Sequence, residues 1–118
     1  MANLLGYKIV QVSNIPDKVI EAEFGEIYKK CKDYTSTSVE RMYALYKAVE
    51  YIVNSKIPGD FVECGVWKGG SSMIIAYTLI KMKETNRKIY LYDTFKGMPE
   101  PTKEDCRILD GTSVSNKW

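Results

Sequence analysis

Residues 57–72 read IPGDFVECGVWKGGSS, and this stretch decides the fold class. The short apolar run Phe61–Cys64 follows a Pro-Gly turn and predicts a buried strand. The glycine-rich segment Gly65–Gly70 predicts a tight turn, after which Ser71 or Ser72 can cap a helix. The stretch therefore predicts a strand, a turn and the start of a helix in direct succession.

The sequence after this turn completes a larger unit. The helix should run to about Lys83, and Asn86 and Arg87 should end it. The residues Lys88–Tyr92 then predict a second strand. A strand, a glycine turn, a helix and a strand within about thirty residues form a βαβ unit with parallel strands and a right-handed crossover. The fold class predicted from the pattern is therefore α/β.

Helices are predicted upstream of this unit. Thr37 and Glu40 form a capping box with Thr37 as the N-cap, and apolar residues recur at helical spacing from there to about Asn54. An earlier helix should begin at residues 16–17, and residues 8–12 should form an extended strand. The chain is therefore expected to place helical segments before the βαβ unit.

The composition limits the classes of function. The chain has 118 residues, 45% of them hydrophobic, a formal charge of +2 and no histidine, so a His-dependent triad is excluded within it. The small charge disfavours nucleic acid, and the longest apolar run, Met73–Ile80, is too short to span a membrane. Three cysteines without a leader-like start favour a reducing, cytoplasmic location. We expect a small-molecule substrate, with no nucleic-acid or membrane partner.

Two carboxylates stand at the ends of the predicted strands, Glu63 and Asp93. Ligands of open parallel sheets bind beyond the carboxyl ends of the strands. Gly65 and Gly69 allow the backbone to approach a ligand closely, and a helix that starts near Ser71 directs its free N–H groups to the same place. An acidic residue after the second strand can accept hydrogen bonds from ribose hydroxyls. These features together predict a site for an adenosine-type cofactor.

The spacing of the turn separates three kinds of nucleotide loop. A dinucleotide fingerprint needs glycine two residues after Gly65, where this chain has Trp67, and this disfavours a nucleotide-binding oxidoreductase. A phosphate-binding loop needs lysine after Gly70, where this chain has Ser71. The remaining pattern, Glu-x-Gly-x-x-x-Gly-Gly, resembles the first motif of class I methyltransferases, which bind S-adenosylmethionine.

Two further stretches extend the likeness, LYDTFKGMPEPT at residues 91–102 and YTSTSVERMYALYKAVEYIV at residues 34–53. Together with residues 57–72 they resemble the macrocin O-methyltransferase family, bacterial enzymes that methylate sugar hydroxyls, notably on macrolide antibiotics. The resemblance implies a Rossmann-like methyltransferase fold preceded by N-terminal helices. It also implies S-adenosylmethionine-dependent O-methylation of a hydroxyl on a sugar or a glycosylated small molecule.

The resemblance also implies which residues bind the cofactor. They are Glu63 and Gly65 beside its methionine part, Val66, Trp67, Gly69 and Ser71 around its carboxylate, Asp93 at the ribose hydroxyls, and Thr94 with Phe95 near the adenosine. No catalytic residue is assigned, because the family's general base lies in a part of its members with no counterpart in this sequence.

Members of the family are much longer than this chain. The resemblance places their magnesium ligands and most of their substrate contacts further along, so Mg²⁺ is expected only in a full-length enzyme and no metal ligand is assigned here. We expect residues 1–56 to form an extended segment and helices, and residues 57–118 to form the first, incomplete part of the cofactor-binding domain. A homo-oligomer is compatible with this interpretation. The alternatives are a catalytically inactive fragment and a nucleotide-binding oxidoreductase.

Overall fold

The structure, a computed structural model, describes residues 3–4, 7–8, 21–102, 104–106 and 111. The elements in chain order are an antiparallel pair β1 (Asn3–Leu4) and β2 (Tyr7–Lys8), α1 (Ala22–Cys31), a 3-10 turn (Lys32–Tyr34), α2 (Val39–Asn54), β3 (Phe61–Cys64), α3 (Gly70–Lys81) and β4 (Ile89–Tyr92). None of the helices in these ranges is both long and apolar enough to cross a membrane. Helices therefore supply most of the regular secondary structure of the described chain, with one short strand on each side of α3.

Strands β3 and β4 pair in parallel, with Phe61 opposite Ile89 and Cys64 opposite Tyr92. The pairing confirms the βαβ unit predicted from the sequence. Beyond β3, the N–H of Gly65 donates to the carbonyl oxygen of Tyr92 at 2.9 Å, so the ladder continues into the glycine turn. The carboxyl ends of both strands consequently lie at one edge, next to the turn.

Three helices build the core. One cluster of buried side chains joins all of them and consists of Phe24, Ile27 and Cys31 from α1, Met42 and Tyr46 from α2, and Ile74 from α3. A second cluster joins Val49 of α2 to Ile75 and Leu79 of α3, and the half-buried Phe61 and Ile89 pack against it. The upstream helices and the βαβ unit thus share a core, and the division of the chain at residue 56 stays a prediction.

The prediction that β3 is a buried strand was wrong. Half-buried and exposed residues alternate along it, Val62 is 59% exposed, and Cys64 is also exposed. The reason is that successive side chains point to opposite faces of a sheet. Phe61 packs toward the helices, whereas no element in the described part of the chain covers the face that carries Val62 and Cys64.

The predicted helix starts were shifted. Glu21 has an extended backbone (φ −59°, ψ 137°) and directly precedes α1. The prediction of one unbroken helix from residues 16–17 through α1 was therefore wrong. Residues 9–20 themselves lie outside the described residues. Helix α2 has Ser38 rather than Thr37 at its N-cap, although it ends at Asn54 as predicted. The hydroxyl of Thr37 is instead 2.9 Å from that of Thr35 and shares a hydrogen bond with it.

An ion-pair network ties the three helices together at their surface. Glu50 of α2 accepts hydrogen bonds from Lys47 at 2.6 Å and from Lys81 of α3 at 2.9 Å. Lys81 also pairs with Glu23 of α1 at 2.5 Å and donates to the hydroxyl of Tyr46, whose ring is fully buried. Partial burial raises the pKa of Glu50, but the two lysines outweigh this effect and lower the pKa to about 2.

We expect this network to make the stability of the protein depend on acid. The pKa of Glu50 is about 2 in the folded chain against the ordinary value of 4.5 in the unfolded chain, so its contribution is complete well above pH 4.5 and is lost as the pH falls toward 2. Between these two pH values, the free energy of unfolding should fall by about 1–2 kcal/mol more in the unchanged protein than in Glu50→Gln. Urea unfolding at each pH measures this difference. An equal pH dependence of the free energy of unfolding in the two proteins would contradict the prediction.

Candidate functional site

A small, open cavity of about 90 Å³ lies where β3 ends and α3 begins. It is lined by Tyr34, Thr35, Ser36, Thr37, Glu63, Gly65, Val66, Trp67, Gly70 and Ser71. This volume is smaller than the range of about 300–1,000 Å³ found for whole small-molecule sites, so the cavity can hold only part of a cofactor-sized ligand. Of the residues predicted to bind a cofactor, Glu63, Gly65, Val66, Trp67 and Ser71 line this cavity, whereas Gly69, Asp93, Thr94 and Phe95 do not.

The glycine turn owes its shape to left-handed backbone conformations. Gly65 has φ +87°, Trp67 has φ +49° and Gly69 has φ +83°. Glycine adopts such angles without strain, whereas tryptophan does so rarely. The N–H of Gly69 donates to the carbonyl oxygen of Val66 at 2.8 Å, which closes the turn directly before α3.

The start of α3 differs from the prediction, because neither Ser71 nor Ser72 caps the helix. The N-cap is Gly69, whose left-handed backbone leads directly into the first helical residue, and the helix ends at Lys81 rather than Lys83. The hydroxyl of Ser72, which is 8% exposed, donates instead to the carboxylate of Glu63. Ser72 therefore orients the acidic side chain that lines the cavity.

The second wall of the cavity is the segment 34–37, between α1 and α2. It passes so close to α3 that a Cβ added to Gly70 would lie 2.5 Å from the carbonyl oxygen of Tyr34 and 2.7 Å from the Cβ of Thr35. The absence of a side chain at Gly70 is what permits this contact. The segment places the hydroxyls of Thr35 and Thr37 beside the first turn of α3.

Sequence reasoning did not assign the hydroxyls of this segment to the site. The signal that could have indicated them is the second glycine of the Gly69–Gly70 pair. Gly69 has a positive φ and serves the turn, whereas Gly70 is helical and has no conformational need for glycine. A helical glycine of this kind can mark a place where another segment packs closely, as at Gly70, although the helical Gly25 has no such neighbour.

Asp93 follows β4 and holds the turn from the other side. Its Oδ2 accepts hydrogen bonds from the N–H groups of Val66 at 2.7 Å and Trp67 at 3.4 Å, and its Oδ1 accepts from the N–H of Phe95 at 3.1 Å. These backbone bonds, that of Val66 first, hold the pKa of Asp93 below its usual value. The hydroxyl of the next residue, Thr94, donates to the carbonyl oxygen of Gly97 at 3.3 Å. Asp93 thus lies beside the turn although it is outside the lining of the cavity.

No group of three or more Cys, Asp or Glu side chains within the described residues is arranged to hold a metal ion.

The site and the helices before it fall within a known family pattern. The family model of macrocin-O-methyltransferase (TylF) matches residues 26–116, which include α2, the glycine turn, α3 and β4. The chain belongs to the macrocin O-methyltransferase family. The parallel βαβ unit is compatible with the Rossmann-like fold that membership of this family implies.

Curated relatives of this macrocin O-methyltransferase family member carry O-methyltransferase names. The chain is 39% identical over 67 residues to 8-demethyl-8-(2,3-dimethoxy-alpha-L-rhamnosyl)-tetracenomycin-C 4'-O-methyltransferase of Streptomyces olivaceus, a match that covers 57% of this chain and 26% of the relative. It is 31% identical over 83 residues to mycinamicin III 3''-O-methyltransferase of Micromonospora griseorubida, covering 70% of this chain and 32% of the relative. The matches therefore span about a quarter to a third of the relatives' length.

Proposed function

We propose that this protein is an S-adenosylmethionine-dependent O-methyltransferase acting on a hydroxyl of a sugar or of a glycosylated small molecule. The observation that carries the proposal is the cavity at the end of β3, whose walls combine the glycine turn, Glu63 and the start of α3. Membership of the macrocin O-methyltransferase family supports the type of reaction. The rhamnosyl group in the name of one relative supports the class of acceptor.

The charges around the cavity suit the amino-acid part of S-adenosylmethionine, which carries an ammonium and a carboxylate. The carboxylate of Glu63 can accept hydrogen bonds from the ammonium and favours the nearby positive sulfonium. The N–H groups of the first turn of α3 and the hydroxyls of Thr35 and Thr37 can donate to the carboxylate. The donors and acceptors lining the cavity therefore fit both charged groups of this part of the cofactor.

The ribose is assigned to Asp93. A carboxylate offers about four lone-pair sites. In Asp93 the two short backbone bonds, from Val66 and Phe95, use one site on each oxygen, while the N–H of Trp67 and the hydroxyl of Thr94 lie 3.4 Å from the oxygens at the remaining sites. Asp93 is exposed, so the two ribose hydroxyls could displace these two long contacts and leave the bonds from Val66 and Phe95 in place. Thr94 lies next to it, where we place the adenosine.

The chain's own part in the reaction is to bind and orient the cofactor. When bound, S-adenosylmethionine would supply an electrophilic sulfonium methyl group for in-line transfer to an alcohol oxygen, with the thioether S-adenosylhomocysteine as leaving group and the alcohol proton lost to a base. Glu63 and the helix start would hold the methionine end while Asp93 holds the ribose, and two fixed ends orient the sulfonium. The general base and the groups that hold the acceptor are not assigned.

The geometry does not favour the oxidoreductase alternative. A dinucleotide site needs a small residue where the turn approaches the pyrophosphate. Trp67 occupies this position, lines the cavity and is 61% exposed. Its indole group would obstruct a pyrophosphate but leaves room beside Glu63 for an amino-acid group.

We expect the chain to bind S-adenosylmethionine in preference to NAD, and Glu63→Gln to weaken that binding about tenfold or more, because a charge-assisted hydrogen bond is lost. Glutamine retains the size of the side chain and can still accept from Ser72. Isothermal titration calorimetry with both cofactors measures the effect. The matched control is Glu26→Gln, an exposed glutamate of α1 paired with Lys29 and outside the cavity lining, which should not change the affinity.

Two results would count against the proposal. The first is that the protein without substitutions does not bind S-adenosylmethionine, and the second is that it binds NAD as tightly as S-adenosylmethionine. The reaction is tested separately by incubating protein and cofactor with rhamnosyl glycosides and following methylation of the acceptor by mass spectrometry. Cofactor binding without methylation of any glycoside would favour the alternative of a catalytically inactive chain.

A further inference from the structure

We propose that Asp93 is a positioning residue that holds the glycine turn in its ligand-binding shape before any cofactor arrives. This role is additional to the ribose contact, and its importance for cofactor binding rests on the proposed function. The carboxylate joins two pieces of backbone that are distant in sequence, the end of β4 and the turn after β3. Both pieces meet at the carboxyl edge of the sheet.

The contacts of Asp93 use both of its oxygens. Oδ2 accepts from the consecutive N–H groups of Val66 (2.7 Å) and Trp67 (3.4 Å), and Oδ1 accepts from the N–H of Phe95 (3.1 Å). A carboxylate is the side chain that can satisfy N–H donors from both sides at once, because neither of its oxygens carries a hydrogen. The two loops that follow β3 and β4 are thereby fixed to each other through one group.

The turn has a specific need for such a contact. Trp67 is a large residue with φ +49°, a conformation that costs free energy and persists only where the surroundings hold it. The side chain of Trp67 is 61% exposed, so packing does not supply that hold. Its N–H group and that of Val66 both point to Asp93, so the hydrogen bonds oppose relaxation of the turn.

Substitution of Asp93 would alter the wall of the cavity as well as the ribose contact. Val66 and Trp67 line the cavity, so release of their N–H groups changes the wall that faces the methionine part of the cofactor. Loss of affinity in an Asp93 variant would therefore combine a missing ribose contact with a relaxed turn. The second contribution is present without cofactor and can be measured alone.

Asp60 offers a matched control at the opposite end of the same strand pair. It precedes β3, it is exposed like Asp93, and its Oδ1 accepts the N–H of Lys88 at 2.9 Å, just before β4. Its substitution removes a bond of the same kind from the same two-stranded sheet. It lies outside the cavity lining and the glycine turn.

The test uses amide NMR of the unliganded 118-residue protein. In Asp93→Ala the amide proton of Val66 should move upfield and exchange with solvent about tenfold faster, as expected for loss of a charge-assisted hydrogen bond. In Asp60→Ala the amide of Lys88 should respond and that of Val66 should not. An unchanged Val66 amide in Asp93→Ala, with a clear response of Lys88 in Asp60→Ala, would overturn the proposal.

A second variant covers the case in which Asp93→Ala does not fold. Asp93→Asn keeps the size of the side chain, but its NH₂ group must face the N–H of either Val66 or Phe95. One of these two backbone amide protons should therefore move upfield and exchange faster with solvent. If both amides are unchanged, the positioning role is wrong. Cofactor titration of the unchanged protein is independent of these spectra, so a failure to bind S-adenosylmethionine would reject the proposed function and leave the positioning role standing.

Discussion

Gly70→Ala is expected to destabilise the protein by about 1–3 kcal/mol and to abolish most of its affinity for S-adenosylmethionine. The added Cβ would lie 2.5 Å from the carbonyl oxygen of Tyr34 and 2.7 Å from the Cβ of Thr35. The nearest of these atoms belongs to the backbone, so it cannot rotate away as the end of a side chain could. The segment 34–37 must therefore move off the first turn of α3 and take one wall of the cavity with it.

Gly25→Ala is the control for this prediction. Gly25 lies inside α1, and a Cβ added to it would meet no atom within 4 Å, so alanine should stabilise the helix by up to about 1 kcal/mol. Urea unfolding measures both stabilities, and calorimetry measures the cofactor affinity. A Gly70→Ala protein that is as stable as the unchanged one would show that the wall does not depend on this close contact.

The βαβ unit could be predicted from the sequence because its signals are local. The apolar run of β3, the glycine turn and the second strand are consecutive, and a crossover helix of this length favours parallel pairing. The end of α2 at Asn54 could likewise be predicted, since a Pro-Gly turn follows closely. The same local pattern indicated Glu63, Gly65 and Trp67, which line the cavity.

Other features depend on contacts between distant residues, and these were missed. The segment 34–37 meets Gly70 through a contact that spans more than thirty residues of sequence, and no local pattern records such a meeting. Serine is a residue type that commonly caps helices, but the hydroxyl of Ser72 donates to Glu63 instead. The apolar run of β3 does not reveal how many of its faces will be covered. The cofactor roles of the individual site residues stay predictions.

The second large effect is expected for Phe24→Ala, which should lower the free energy of unfolding by about 3–5 kcal/mol. Phe24 is fully buried, and its ring centroid lies 5.6 Å from that of Tyr28, 5.1 Å from Tyr43 and 5.4 Å from Tyr46. Its cluster joins α1, α2 and α3, so one truncation weakens all three contacts. A two-stranded sheet is only marginally stable by itself, so β3 and β4 offer little to compensate within the described part of the chain.

Phe24→Ala should also alter the cavity, because α1 leads through the 3-10 turn Lys32–Tyr34 directly into the segment 34–37 that forms one of its walls. An α1 that is no longer anchored by Phe24 leaves this wall free to separate from α3, so cofactor affinity should fall under conditions where the protein is still folded. Tyr51→Ala is the control, since Tyr51 of α2 is 66% exposed and its loss should change stability by no more than about 0.5 kcal/mol. Urea unfolding and cofactor titration of both variants test this prediction. If Phe24→Ala lowers the free energy of unfolding by less than about 1 kcal/mol, α1 is not needed to hold the helices together.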